Sequence, residues 1–333
     1  MAFRLKLVPD DTKIDFFRLQ KATFGLSALL MVLSVVVLLV NGLNFGIDFR
    51  GGTTIRTESS QPVDIGAYRD ALQPLDLGDV AITQVFDPSF RDDQHVAQVR
   101  ISAQDGVEAV TPELITAVEG ALQTVDPSIS FPSVESVGPK VSGELIQTAI
   151  YSVLAALAAI SVYIWLRFEW QFAVGAIVSL FHDVLLTMGL FAAFQIRFDL
   201  TTIAALLTIV GYSINDTVVV FDRLRENLMK FKQTPLRDLM NLSVNETLSR
   251  TIMTSGTTLV ALIALLVLGG DVIRGFVFAI TFGIFVGTYS SIYVAKNFVL
   301  WLGVRRDWGK PDPKDPNAKP RKPVSPFEGA EEG

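Results

Sequence analysis

The sequence predicts an α-helical integral membrane protein with six transmembrane helices and one α+β domain between the first and second helices. Half of the 333 residues are hydrophobic and only 19% are charged, against about a quarter in ordinary soluble domains. The mean hydropathy of +0.42 is too high for a soluble protein of this length. Six apolar segments are long enough to cross a bilayer, which takes about 20 mostly apolar residues. One long polar segment, residues 43–140, separates the first of them from the second.

The six apolar segments contain no proline, so we expect any bend in them to come from glycine or from local unwinding. The first segment has the length of a signal-peptide core. Residues 41–44, however, are not a small-x-small cleavage site, and we expect a retained helix. The segments cover residues 23–40, 145–166, 172–194, 201–221, 253–268 and 275–302.

The distribution of Lys and Arg predicts the orientation, because cytoplasmic loops of membrane proteins carry an excess of both. They are concentrated in residues 1–22, 223–250 and 305–333, whereas acidic side chains prevail in residues 43–140. Both termini are therefore predicted to be cytoplasmic and the polar segment external. The predicted divisions are a cytoplasmic N-terminus 1–22, a first transmembrane helix 23–42, an external α+β domain 43–140, transmembrane helices two to six in 141–303, and a disordered, proline-rich cytoplasmic tail 304–333.

The external segment has the element order β-α-β-β-α-β, which is the order of a ferredoxin-like unit. Thr111 and Pro112 are a typical N-cap and first residue of its second helix, and apolar side chains follow at steps of four. No nucleophile is placed with a base, so we expect no catalytic residues. The predicted strands cover residues 53–58, 80–86, 95–101 and 130–137, and the predicted helices cover 63–75 and 111–124.

Composition excludes several functional classes. Cysteine is absent, and the two histidines, His95 and His182, are far apart in the sequence, which argues against thiolate and zinc sites. The net charge of −6 argues against a nucleic-acid binder. The sequence contains no phosphate-binding loop. We therefore expect no cofactor, no metal and no enzymatic activity, and we expect the energy for any work to come from an ion gradient or a partner protein.

Ionisable side chains inside the apolar segments are the candidate functional residues, because a charge in the bilayer is costly. His182 and Asp183 lie near the middle of the third segment, Asp216 follows Asn215 in the fourth, and Arg250 precedes the fifth. Asp216 lies about 9 Å inside its segment at about 1.5 Å per residue, within reach of Arg250. Such a pair favours the charged carboxylate and an apolar setting favours the neutral one, so alternation between them would carry a proton. Arg250 as an interface anchor and Asp216 as a structural carboxylate remain alternatives.

Polar and small side chains recur at helical spacing around these residues. The polar ones predict either a common path for an ion or simple interhelical hydrogen bonds, which are worth about 1 kcal/mol or less each. The small ones predict close packing of the last helix against a neighbour. The path candidates are Ser179 and Thr187 in the third segment, Thr208 and Tyr212 in the fourth, and Thr254 and Thr257 in the fifth; the packing candidates are Gly283, Gly287 and Ser291 in the sixth.

Five motifs resemble the SecF family of the bacterial SecD–SecF protein-export complex, itself similar to part of the resistance-nodulation-division (RND) superfamily. They occur in the family's order within residues 13–303. The fourth motif has the SecF form, with Asn215 and Asp216, rather than the SecD form. The motifs are GIDFRGGT (46–53), VESVGPKVSG (134–143), FHDV (181–184), GYSINDTVVVFDR (211–223) and SRTIMTSGTT (249–258).

The resemblance implies a multi-pass protein of the bacterial inner membrane with a periplasmic domain. It implies a partner SecD, association with YajC and the SecYEG channel, and use of the proton-motive force on a preprotein whose translocation SecA has started. By position it implies that Asp216 carries the proton and that Arg250 is its charge partner, with Asn215, His182 and Asp183 as further relay residues. A half-size RND-type proton-coupled transporter of a small lipid or drug is the alternative, a structural scaffold is a third possibility, and sodium in place of the proton stays open.

Overall fold

The computed structural model describes residues 12–85, 90–91, 93–103 and 111–304. The predicted tail and most of the predicted N-terminal segment lie outside the described residues. The helices are α1 (Gln20–Asn41), α2 (Ile47–Arg50), α3 (Ile65–Leu72), α4 (Pro112–Val125), α5 (Pro139–Arg167), α6 (Trp170–Phe194), α7 (Leu200–Lys230), α8 (Leu236–Leu268), α9 (Asp271–Ser290) and α10 (Lys296–Leu302). The strands are β1 (Asn44–Phe45), β2 (Gly52–Ser59), β3 (Val80–Val85), β4 (His95–Ser102), β5 (Ser130–Val137) and β6 (Arg197–Phe198).

Within the described part of the chain, six helical stretches are long and apolar enough to cross a membrane, as the sequence predicts. Five of them are α1, α5, α6, α7 and α8. The sixth runs over Ile273–Leu302 and comprises most of α9, one π-helical turn (Ser291–Ala295) and α10. A π-turn widens the helix by one residue and is a recognised cause of bending without proline.

The helix α8 begins at Leu236, well before the predicted start at residue 253, and α7 continues past residue 221 to Lys230. Hydropathy detects only the apolar part of a helix. Residues 236–250 form helix but carry charged side chains such as Arg237 and Glu246, so they do not read as membrane-spanning. Arg250 therefore lies inside a continuous helix rather than at the entrance to one.

Three of the six stretches form the centre of the bundle. The buried share of the most apolar part of each helix shows this. It is about half in α6 and 61% in Ile273–Leu302, but only 11% in α1 and in α5. The central helices pack through aromatic and aliphatic side chains, with Phe172, Phe221 and Leu224 near one end and Phe191 and Ile209 near the other. Polar residues of these helices such as Asp183, Ser213 and Ser290 are consequently enclosed by protein.

The polar segment folds as a four-stranded antiparallel sheet with two helices, in the chain order β2-α3-β3-β4-α4-β5 that the sequence predicts. The strands lie in the order β3-β4-β2-β5. Ile55, Tyr68 and Leu122 belong to the core that joins the sheet to the helices. The predicted helix 63–75 is α3 followed by a 3₁₀ turn (Gln73–Leu75), because Pro74 lacks the N–H that would continue an α-helix.

Each helix of this sheet unit begins at a side-chain cap. Asp64 Oδ1 accepts hydrogen bonds from the backbone N–H groups of Gly66 (2.8 Å) and Ala67 (3.1 Å) at the start of α3. Thr111 caps α4 through Leu114 N, as the sequence predicts. These caps satisfy N–H groups that the first helical turn leaves without a partner.

Candidate functional site in the helix bundle

The first buried carboxylate of the bundle is Asp183 in α6, whose side chain is fully enclosed. Its Oδ1 atom lies 2.9 Å from Nδ1 of His182. Its Oδ2 atom accepts hydrogen bonds from Ser213 Oγ of α7 at 2.6 Å and from Ser290 Oγ of α9 at 2.7 Å. Ser179 Oγ lies 2.9 Å from Ser290 Oγ and extends the group back to α6. Asp183 therefore joins three helices, and both of its oxygens have partners.

The second buried carboxylate, Asp216, lies three residues after Ser213 on α7 and is 3% exposed. Within the described part of the chain its only hydrogen bond is a long one, 3.4 Å from Ser255 Oγ of α8 to Oδ2. The same Ser255 hydroxyl lies 2.8 Å from Thr288 Oγ1 of α9. Asp216 is thus buried where α7, α8 and α9 meet, with one shared and weak partner.

Glycines of α9 make a close helix contact with α7 beside Asp183. A Cβ atom added to Gly287 of α9 would lie 3.1 Å from Ser213 Cβ and 3.5 Å from Asp183 Oδ2. Further along, a Cβ on Gly283 would lie only 2.3 Å from Ile209 Cγ1. The absence of side chains at these two positions lets α7 and α9 approach closely, as the small-residue spacing suggests. Ser291 is buried at the start of the π-turn.

Arg250 and Asn215 do not face Asp216 directly. Arg250 is exposed, and no ion pair joins it to Asp216 among the described residues. Asn215 is also exposed and lines a shallow groove beside Tyr163 of α5. Neighbouring residues on a helix point about 100° apart, so the burial of Asp216 directs Asn215 outward.

The polar stripes do not all line one path. Thr208, Thr254 and Thr257 each donate a hydrogen bond to a carbonyl of their own helix, at 2.8 to 3.0 Å. Thr187 donates to the backbone oxygen of Asp183 at 2.8 Å. Of the six path candidates, Ser179 belongs to the Asp183 group, and Tyr212 reaches from α7 to Thr258 of α8 at 3.4 Å.

His182 has one ring nitrogen without a partner. Nδ1 faces Asp183, whereas Nε2 is buried and makes no hydrogen bond to any described residue. The ring stacks on Tyr289 with centroids 6.2 Å apart. Tyr289 Oη donates to the carbonyl of Thr23 at 2.8 Å and lies 3.0 Å from Ser27 Oγ of α1. The Asp183 group thereby extends to a fourth helix.

Sequence reasoning missed the hydroxyl partners of both carboxylates. Serine and threonine are common on these helices, and the sequence does not fix how each helix is rotated. One available signal was that Ser213 and Asp216 are three residues apart and share a helix face. Among the described residues no cluster of His, Cys, Asp or Glu side chains could hold a metal ion. The missed partners are Ser213, Ser255, Thr288 and Ser290.

Comparison with known proteins decides the family. The family described as "Protein export membrane protein SecD/SecF, C-terminal" matches residues 117–305, and the "SecD/SecF GG Motif" matches residues 36–63. The protein translocase subunit SecF of Cereibacter sphaeroides is 71% identical over 314 residues, which cover 94% of this chain and 97% of the relative. This chain belongs to the SecF family. The SecF of Rhodobacter capsulatus is 65% identical over 321 residues, covering 95% of this chain and 96% of the relative.

Solved structures extend the SecF likeness to three dimensions. The crystal structure of SecDF from Thermus thermophilus, a translocon-associated membrane protein, matches with a TM-score of 0.79 at 37% identity. A second structure, SecDF in a super-membrane-facing form, matches with a TM-score of 0.64 at 38% identity and covers 88% of this chain. The first match covers 89% of this SecF-family chain. This chain spans only 39% of the SecDF chain.

Proposed function

We propose that this chain is a subunit of the protein-export machinery of the bacterial inner membrane that uses the proton-motive force, with Asp216 as the residue that takes up and releases the proton. The observation that carries the proposal is Asp216 itself. It is a carboxylate buried between three helices, with a single hydrogen bond, of 3.4 Å, to the described residues, in a chain of a translocase family. Ionisable residues inside membrane helices are functional by default, because burying their charge is costly.

The surroundings of Asp216 suit a proton carrier. Its one hydroxyl partner, Ser255, also lies within hydrogen-bonding distance of Thr288 of α9. Protonation of the carboxylate would therefore break no extended network. Arg250, exposed on α8, is the positive charge that we propose to favour the charged form of Asp216 when it approaches. We propose that Asp183 and His182 support α7 and take part in the relay only after Asp216.

A second six-helix protein, SecD, is the partner that we propose for the exposed polar face of α7 and α8. Asn215, Thr257 and Arg250 are exposed on helices that are otherwise apolar enough to span a membrane. Polar side chains at such a depth usually face protein or water rather than lipid. This chain spans only 39% of a SecDF structure, which supports a separate SecD partner. YajC, SecYEG with SecA, and the preprotein enter the proposal through the family resemblance.

The proposed orientation places both termini in the cytoplasm and the sheet unit, with a ferredoxin-like fold, in the periplasm. The charge distribution of the loops supports this side. The β-α-β-β-α-β order and the strand order β3-β4-β2-β5 support the fold. The proposed domain limits then follow the sequence prediction, with residues 43–140 as the periplasmic part.

Preprotein translocation into inverted membrane vesicles tests the function. Vesicles with wild-type protein or Asp216→Asn are compared with and without a proton gradient. We expect the gradient to stimulate export by the wild type and not by Asp216→Asn, with equal amounts of assembled complex. Asp222→Asn is the matched control, because Asp222 lies on the same helix but is solvent-exposed and pairs with Arg167 at 2.8 Å. Equal stimulation in all three would refute the assignment, and gradient-driven efflux of a lipid or drug without an effect on export would favour the transporter alternative.

A further inference from the structure

The outer end of α7 is bound to the segment that enters the sheet unit. Asp48 of α2 accepts a hydrogen bond from the backbone N–H of Leu200, the first residue of α7, with 3.0 Å between Oδ2 and N. The N-cap Asp199 accepts from Thr202 N at 3.0 Å. The first N–H groups of a helix have no partner within it and favour negative charge. Two carboxylates from different parts of the chain therefore hold the same helix end.

A short parallel pairing strengthens this junction. β1 pairs with β6, so that Asn44 lies opposite Arg197 and Phe45 opposite Phe198. The backbone N–H of Gly46 donates to the carbonyl of Phe198 at 2.8 Å. The Asn44 side chain donates to the carbonyl of Gln195 at 2.8 Å. The chain just before α2 is thus hydrogen-bonded to the chain just before α7.

Aromatic side chains fill the same junction. Phe45 and Phe49 each lie 5.9 Å from Phe198, and 5.7 Å from one another, measured between ring centroids. Phe198 also contacts Phe191 of α6 at 6.2 Å. Aromatic pairs in this range are attractive beyond the area they bury. The junction is therefore a packed contact and not only a set of polar bonds.

On its other side, α2 passes into the central strand β2 without a linker. Gly51 N donates to Ile47 O at 2.8 Å, and β2 begins at the next residue. Gly52 has φ +120°, and a Cβ atom there would lie 2.3 Å from Ile101 O of β4. Only glycine fits that conformation and that contact. A displacement of α2 must therefore move β2, which lies between β4 and β5 in the sheet.

We propose that Asp48 is the positioning residue that couples α7 to the sheet unit, so that a shift of α7 at Asp216 moves the sheet. The inference rests on the proposed function of Asp216. Asp216 and Leu200 lie on one continuous helix, about 24 Å apart at about 1.5 Å per residue. The chain of contacts runs from Asp216 along α7 to Leu200, across the hydrogen bond to Asp48, and through α2 to β2.

Export and proton flux, measured together, test the coupling in vesicles that contain the complete complex. We expect Asp48→Ala to reduce the gradient's stimulation of export at least about fivefold, the lower end of typical coupling between two sites. Proton flux through the complex should stay at the wild-type level. Asp48→Asn keeps an acceptor oxygen and should retain both. Asp64→Ala, which removes the comparable cap of α3, is the matched control and should also retain both.

Three outcomes would overturn the coupling role: full stimulation in Asp48→Ala, loss of both flux and stimulation in it, or equal defects in Asp48→Ala and Asp48→Asn. If even the wild type shows no response to the gradient, the proposed function fails, and amide hydrogen exchange tests the junction by itself. Asp216→Asn should then change the protection of residues 46–52 when Asp48 is present and not when it is alanine. Equal changes in both backgrounds would refute the junction.

Discussion

The two buried carboxylates of the bundle differ in how completely they are satisfied. Asp183 has partners on both oxygens, with His182, Ser213 and Ser290 all within 2.9 Å. Asp216 has only Ser255, at 3.4 Å, among the described residues. Both side chains are enclosed to at least 97%. Burial alone therefore does not separate them, whereas hydrogen bonding does.

The difference separates a carboxylate that holds helices together from a carboxylate that can change its charge. A proton on Asp183 would have to displace a donor from a network that joins three helices, and buried networks lose more than the sum of their single bonds when broken. A proton on Asp216 displaces little. We therefore expect that Asp183 fixes the central helices and that Asp216 changes its charge in their midst. The predictions below test this contrast.

Removal of the satisfied carboxylate should have the largest effect on stability. Asp183→Ala removes the buried partner of Ser213 Oγ and of His182 Nδ1, while Ser290 Oγ retains the carbonyl of Gly287 at 3.1 Å. Each unsatisfied buried group costs about 1–3 kcal/mol, so for two groups we expect a loss of at least about 2 kcal/mol in the free energy of unfolding. Denaturant titration in detergent micelles measures it. Asp222→Ala, at the exposed end of α7, is the control. A loss below about 1 kcal/mol would contradict the holding role.

The close contact between α7 and α9 gives the next effect. In Gly283→Ala the new Cβ would lie 2.3 Å from Ile209, and overpacking of this kind costs about 1–3 kcal/mol. The same titration measures the loss. Gly211→Ala on α7 is the control, because nothing lies within 4 Å of the added atom; there alanine should be neutral or stabilising by up to about 1 kcal/mol. Equal effects at the two glycines would mean that α7 and α9 do not pack this closely.

Removal of the charge at the unsatisfied carboxylate should hardly change stability. Asp216→Asn loses at most one long hydrogen bond, worth less than about 1 kcal/mol, while it abolishes the response of export to the proton gradient. Unfolding and export assays on the same preparation give both values. If Asp216→Asn destabilises the protein as much as Asp183→Ala does, the two carboxylates are both structural and the contrast fails.

The sequence predicts the bundle well because hydropathy reports directly on membrane spans, and all six are present. It misses β1, α2 and β6, which are two to four residues long and too short for any periodic pattern. It also misses the early start of α8, since Arg237 and Glu246 mask a helix that continues outside the apolar part. Length and apolar content thus predict the long elements, and tertiary contacts determine the short ones.

The sequence predicts the charged residues of the candidate site but not their hydrogen-bond partners. Asp183 and Asp216 stand out because an ionisable residue in an apolar segment is rare. Depth along the helices predicts an ion pair of Asp216 with Arg250. Depth does not determine how each helix is rotated about its axis. The structure rotates Arg250 to the exposed side of α8 and turns Ser255 toward Asp216. Contacts between helices, which no single-helix pattern contains, determine that rotation.

A carboxylate outside the bundle should give the smallest effect on stability. It is also a reference for carboxylates that, like Asp183, have several hydrogen-bond partners. Asp126, after α4, accepts hydrogen bonds from Ser59 Oγ and from Ser128 N and Oγ. These bonds, that of Ser59 first, lower the pKa of Asp126 below its ordinary value of 3.8. A carboxyl group whose folded pKa is depressed stabilises the fold above its ordinary pKa, and that stabilisation is lost as the pH falls through the folded value.

Asp126→Asn tests this reference, because the amide does not titrate. The melting temperature of the full chain in detergent should be higher for the wild type than for Asp126→Asn near neutral pH. The difference should vanish as the pH falls below the folded pKa of Asp126. A difference that stays constant down to low pH would show that the charge of Asp126 contributes nothing to the fold. Saturated hydrogen bonding would then be no guide to what a carboxylate does, and the contrast between Asp183 and Asp216 would lose its physical basis.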